Sequence, residues 1–201
     1  MMKKLLMLIL CVCCARVLKA QQKDFGNYSA GTVDLTLTYQ AAYNGSTHSF
    51  WLQGGSCQLE GHIWRGLGEV ADITGLHTSD MHGSGVGLDL VTATFGPRYT
   101  VQVHDLVHRM DSKRRIALYG EALGGVANGF NSIFPAINAA EESETGTAML
   151  LGSGINYAWT KHVSIRAIDA AWLRTTLPNG TNNVQNNLRL GAGIVWKLPH
   201  R

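Results

Sequence analysis

Residues 33–41, VDLTLTYQA, alternate without a break. Val33, Leu35, Leu37, Tyr39 and Ala41 fall on one face of an extended chain, and Asp34, Thr36, Thr38 and Gln40 on the other. Residues two apart share a face of a strand, so the pattern predicts a strand with one apolar and one polar side. The pattern recurs along the chain. In 89–103, Val91, Ala93, Phe95, Tyr99, Val101 and Val103 oppose Leu90, Thr92, Thr94, Arg98 and Gln102. In 115–126, Ile116, Leu118, Ala122 and Val126 oppose Tyr119 and Glu121; in 148–159, Met149, Leu151, Ile155, Tyr157 and Trp159 oppose Gly152, Gly154 and Asn156. The closing stretch 186–198 sets Leu188, Leu190, Ala192, Ile194, Trp196 and Leu198 against Asn187, Arg189, Gly191, Gly193, Val195 and Lys197. Segment 163–175 begins in the same way, with Val163, Ile165 and Ala167 opposite Ser164 and Arg166. Its parity breaks near Asp169, which predicts a bulge. Segments 49–61 and 67–76 read as strands of ambiguous phase. The count is then eight strands, and no stretch past residue 20 is long and apolar enough for a spanning helix.

Most of these strands are longer than the roughly 5–6 residues usual in soluble sheets and match the ~9–11 needed to cross a bilayer at a tilt. The connections are 42–48, 62–66, 77–87, 104–114, 127–147, 160–162 and 177–185. The first, third, fifth and seventh are rich in Gly, Asn and Ser, whereas the second and sixth are short. Spanning barrels alternate short turns with long external loops in this way, and the fourth connection departs from the pattern by its length. Tyr39, Tyr99, Tyr157, Trp159 and Trp196 are placed by the sequence at or near strand ends on the apolar face, where interfacial aromatics belong. The competing reading is a soluble periplasmic ligand-binding β-barrel. The charges lie mainly on the face shared with glycine, which favours apolar residues outward, against lipid.

Residues 1–20 carry the layout of a signal peptide: Lys3 and Lys4, an apolar run from Leu5 to Cys14, and Ala20 at a cut site. Residues 21–32 read as a lead-in and 33–198 as the barrel domain. Of 17 basic residues, Lys3, Lys4, Arg16 and Lys19 leave with the signal, so 13 face 14 acidic ones. The basic balance of the whole chain therefore implies no nucleic-acid partner. Cys11, Cys13 and Cys14 leave too. Cys57 stays alone, without a disulfide partner, and is expected as a small packed residue.

The stretches VGLDLVTATFGPRYT (86–100), YGEALGGVANGFNS (119–132), GSGINYAWTKHVSIRAIDAAWLRT (152–175) and NNVQNNLRLGAGIVWKL (182–198) resemble a family. They are similar to the small, barrel-only, OmpA-like outer-membrane proteins of diderm bacteria, of the kind found in acidobacteria-type genomes. The resemblance implies an all-β fold, an eight-stranded antiparallel up-and-down transmembrane β-barrel, with outer-membrane lipid and the outer-membrane insertion machinery as partners. It implies no defined reaction. Such barrels commonly end on an aromatic residue that the insertion machinery reads. Here the last strand runs Trp196-Lys197-Leu198 and on through Pro199, His200 and Arg201.

An eight-stranded barrel is only wide enough for its own side chains. Parity turns Arg98, Arg166 and Arg189 inward with Glu121, and less securely Glu60 and Asp72. Opposite charges in a narrow, low-dielectric lumen are expected to pair, since an unpaired one is costly. The bland reading of this lumen polar network is a structural plug; the sharper one is a porin-like path for small solutes. No catalytic residues, cofactor or metal ligands are read. His77 and His82 share a loop with Asp80 and Ser84, which admits a rim lipid hydrolase or surface metal site, but a loop alone fixes no geometry and solvated residues are expected. HGSGVG (82–87) lacks the glycine that a nucleophile elbow places two before its serine, and it precedes a strand. The expected role is structural or surface-interacting, with any external ligand met by the 77–87 and 127–147 loops.

Overall fold

The computed structural model describes residues 31–45, 49–81, 83–102, 116–135, 140–179 and 183–198. The strands are β1 (Val33–Asn44), β2 (Phe50–Trp64), β3 (Leu67–Thr78), β4 (Leu88–Gln102), β5 (Ile116–Pro135), β6 (Ala140–Ala158), β7 (Val163–Thr175) and β8 (Gln185–Leu198). Each pairs antiparallel with its sequence neighbours, and β1 pairs with β8, so the sheet closes into an eight-stranded barrel. Closure leaves no sheet edge along the shared length of the strands, as a bilayer requires.

Parity decides which side faces in. On β1, Asp34, Thr36, Thr38 and Gln40 are buried, while Leu37 and Tyr39 stand out at 45% and 60% exposure. The barrel is therefore inverted relative to a soluble domain: polar residues fill the inside and apolar residues coat the outside. The outward face of β4 from Val91 to Val101 spans ~34 Å at ~3.4 Å per residue, or about 26 Å at a tilt near 40°, matching the ~25 Å apolar band of a spanning barrel. All five tryptophans are on the outside. Trp64, Trp159 and Trp196, with Tyr99 and Tyr157, ring the end of the short turns; Trp51 and Trp172 stand toward the opposite end. Tyr39 departs from its expected place. It lies mid-strand, where its hydroxyl donates to Gln53 Oε1 at 2.8 Å.

The β2–β3 turn is two residues, Arg65 and Gly66, with φ of 42° and 84°. Two positive φ values match the twist of a tight hairpin, and a Cβ on Gly66 would lie 2.1 Å from the Thr100 carbonyl oxygen, so glycine is required there. The expected break in β7 is present: the register with β8 shifts between Arg166 and Asp169. Residues 160–162 form the short turn before β7.

Two further expectations are corrected. The connection at 127–147 is not a loop: 127–135 continue β5 and 140–147 continue β6 as a paired hairpin beyond the neighbouring strands. Its Asn and Gly content mimics a loop, and a register shift between Phe130 and Phe134 hides its parity. Apolar packing holds it: Phe134 turns over the mouth with Leu177, and a Cβ on Gly129 would fall 2.6 Å from the Phe134 ring. Cys57, expected to be packed, is exposed on the outer face of β2, between its register partners Leu37 and Ile73. The signal-peptide reading and the 104–114 connection fall on residues outside those described, as does His82.

Candidate functional site in the barrel lumen

The inward side chains sort into two layers. Toward the short turns they are mainly charged or polar; toward the long connections leucines predominate, with Asn44 and Asn187 hydrogen-bonded to each other beside them. On β4 the inward order from the turn end is Gln102, Thr100 and Arg98, then Thr94 and Thr92, then Leu90 and Leu88. On β2 it is His62, Glu60, Gln58 and Ser56, then Leu52. The apolar layer of Leu52, Leu76, Leu90, Leu150, Leu173 and Phe134 is buried across the loop end of the lumen. A cleft of about 640 Å³ lies above it, lined by residues including Phe50, Met81, Ile133, Phe134 and Pro178.

The polar layer is one connected network. Arg98 donates from Nε to Glu121 Oε2 at 2.9 Å, from Nη1 to Glu60 Oε2 at 2.6 Å and from Nη2 to Gln58 Oε1 at 2.6 Å. The planar guanidinium fork suits several fixed acceptors at once. The same Gln58 oxygen accepts from Arg166 Nη1, whose Nε donates to Asn156 Oδ1 at 3.1 Å. Gln58 Nε2 then donates to Asp72 Oδ2 at 2.7 Å. Arg189 donates to Thr74 Oγ1 at 2.8 Å and lies 3.6 Å from Asp72 Oδ2. Arg166 lies 3.8 Å from Asp169 Oδ2, and Gln40 Nε2 donates to the same oxygen at 2.9 Å. Every strand contributes at least one of these residues.

Tyr119 sits at the centre. Its ring is flanked by Arg98, with the guanidinium carbon 4.4 Å from the centroid, and by Arg166 at 4.5 Å. A ring face between two cations offsets part of their mutual repulsion. Glycines on neighbouring strands make room for these large groups. A Cβ on Gly152 would lie 2.8 Å from Glu121 Oε1, one on Gly154 2.5 Å from the Tyr119 hydroxyl, and one on Gly191 2.5 Å from Gln40 Oε1. The alternating glycines of β6 and β8 are thus the counterparts of the bulky polar residues of β5 and β1.

Of the residues singled out in the sequence, Arg98 and Glu121 meet directly. Arg166 joins them through Gln58 and Tyr119, and Arg189 joins through Asp72. Tyr119, Gln58, Asn156, Asp169 and Gln40 were not singled out; parity finds Tyr119, Asn156 and Gln40, whereas the blurred phase of β2 hides Gln58 and the β7 bulge hides Asp169. At the floor, near the turns, Asp34, Glu60 and His62 come together with Lys197, the register partner of Asp34. At the rim, His77 pairs with Asp89 at 2.6 Å rather than grouping with Asp80 or Ser84; Asp80 Oδ1 instead accepts from the Gly85 backbone. Asp89 points outward above the apolar band. The Asn131 amide, and then His77, hold its carboxyl below the usual aspartate range.

No protein-family model matches the chain, and no curated protein matches it. Solved structures do. Neisserial surface protein A superposes with a TM-score of 0.56 at 16% identity, over 83% of this chain and 96% of that one. The outer membrane protein OprG from Pseudomonas aeruginosa superposes with a TM-score of 0.52 at 10% identity, over 88% of this chain and 100% of that one. The chain has the fold of the small outer-membrane β-barrels. Identity this low speaks for the fold alone, and the roles of the lumen and rim rest on this chain's own residues.

Proposed function

We propose that the protein is an integral outer-membrane barrel, exported by its N-terminal signal and inserted by the outer-membrane assembly machinery, whose lumen is closed and whose work is done at its external rim. The observation that carries this reading is the lumen itself. One ion-paired network draws side chains from all eight strands, and an apolar layer is stacked on it. A solute would have to break buried ion pairs and then cross a leucine-rich layer, and each step is costly. This favours a structural or interaction role over a porin-like channel. It also leaves the rim for partners: the 79–87 connection, the β5–β6 hairpin and the cleft between them. The reading includes no reaction.

Purified protein reconstituted in planar bilayers tests the closed lumen. Silence from a sample that shifts mobility on boiling is the expected result. Unitary conductance altered by Arg98→Ala or Glu121→Ala would show a pore and overturn the reading. Removing 131–143 tests the rim: the barrel is expected to fold, and binding to whole-cell or matrix partners is expected to drop.

A further inference from the structure

Glu60 and His62 are two apart on β2, so both point into the lumen, and Asp34 is the register partner of Glu60 on β1. Their exposures are 2% for Asp34, 3% for Glu60 and 4% for His62. The imidazole meets a carboxylate through each ring nitrogen: Nε2 is 3.2 Å from Asp34 Oδ2, and Nδ1 is 3.5 Å from Glu60 Oε1. One ligand-capable atom from each of the three residues lies within 4.8 Å of the other two.

A further observation points to a cation. Asp34 Oδ1 and Glu60 Oε1 are buried and have no hydrogen-bond partner among the described residues. A buried carboxylate oxygen without a donor is costly and calls for an explanation. Arg98 reaches Glu60 through Oε2 and is shared with Glu121. Lys197 is the register partner of Asp34.

We propose that Asp34, Glu60 and His62 form a binding site for a divalent transition-metal cation with the ligand preference of zinc, at the turn end of the lumen. Two carboxylates and an imidazole combine hard oxygens with a borderline nitrogen, three ligands in all. Calcium and magnesium favour six or more oxygens, whereas zinc accepts three protein ligands of this kind with a fourth position open. Zinc bonds of ~2.0–2.2 Å require the ligand atoms to draw in by on the order of 1 Å from their present spread, within reach of side-chain rotation. Room for the Glu60 carboxylate is built in: a Cβ on the facing Gly68 would lie 3.2 Å from Glu60 Oε1. Lys197 is the half-buried member of the group and competes for the same carboxylates, so an arriving cation displaces its ammonium toward water.

The test uses the full chain refolded in detergent, stripped with chelator and titrated with zinc chloride in a calorimeter. One equivalent is expected to bind. Asp34→Asn and His62→Gln are each expected to weaken it about 100-fold, at or beyond the upper end of what second-shell losses cost. Both variants are expected to keep the mobility shift on boiling, and His77→Ala to leave binding unchanged. Lys197→Met is expected to tighten binding, because a competing cation is removed; a purely ion-paired floor would gain nothing. Absence of saturable binding by the folded protein overturns the proposal, as does undiminished binding by folded His62→Gln, which would place the metal on other histidines. Should His62→Gln not fold, Lys197→Met decides: affinity no higher than that of the unaltered chain overturns the site.

Discussion

Arg98→Met keeps much of the arginine stem and removes the guanidinium. Glu60, Glu121 and Gln58 then lose a donor together, in a layer with almost no contact with water. Breaking a buried ion pair by deleting one partner costs about 3–5 kcal/mol, because the remaining charge is stranded. The lost stacking on Tyr119, at 4.4 Å, falls within that range rather than adding a separate sum. At roughly 1.4 kcal/mol per decade, the folding equilibrium is expected to shift by about two to four decades. Urea unfolding of the barrel in lipid vesicles, followed by tryptophan fluorescence, reads this directly, since all five tryptophans face the lipid side. A second substitution sharpens the test. With Arg98 gone, Glu121→Gln removes a stranded charge and is expected to restore about 1–3 kcal/mol, whereas alone it destabilises. A loss below about 1 kcal/mol for Arg98→Met, or an effect of Glu121→Gln that is the same in both backgrounds, would refute the reasoning.

Other outcomes follow from the same packing. Gly152→Ala sets a methyl 2.8 Å from Glu121 Oε1 and is expected to cost about 1–3 kcal/mol in the same unfolding assay. Ile73→Arg places a cation on the outer face near the middle of the band and is expected to cost about 2–4 kcal/mol in vesicles. Asp89 is expected to titrate below the ordinary aspartate range, measured by NMR, with Asn131→Ala raising its midpoint. A depressed carboxyl contributes its stabilisation above the ordinary aspartate pKa and loses it as pH falls through the lowered value, so the Asn131–Asp89–His77 contact is expected to loosen only in strong acid.

Much of this fold was legible because a period of two leaves little freedom. On β1, β4 and β8 each residue's face follows from its neighbours, and Arg98 and Arg189 point inward because Tyr99 and Leu190 point outward. The β7 bulge was legible as well, since Asp169 could not share a face with Ile165. Legibility failed where side chains stop marking a face. Gly54, Gly55 and Gly61 blur the phase of β2, so Glu60 was placed weakly and its neighbour His62 was not connected to Asp34. The β5–β6 hairpin was missed for a related reason: Asn, Gly and Ser read as loop, and the shift at Asn131, with φ of 54°, breaks the alternation just where Phe134 resumes it. The layering of the lumen was not visible strand by strand. It appears only when the register sets Leu76 beside Leu90 and Gln58 beside Asp72.

The account rests on an outer face that meets lipid, and the chain carries its own probe for that. Cys57 lies mid-band on β2, between Leu37 and Ile73. With Cys11, Cys13 and Cys14 replaced by serine, a nitroxide on Cys57 in a reconstituted bilayer reports its surroundings by power saturation. The account predicts strong relaxation by dissolved oxygen and little by a water-soluble nickel chelate. Ready access to the chelate would place the apolar face in water and contradict a membrane-spanning barrel.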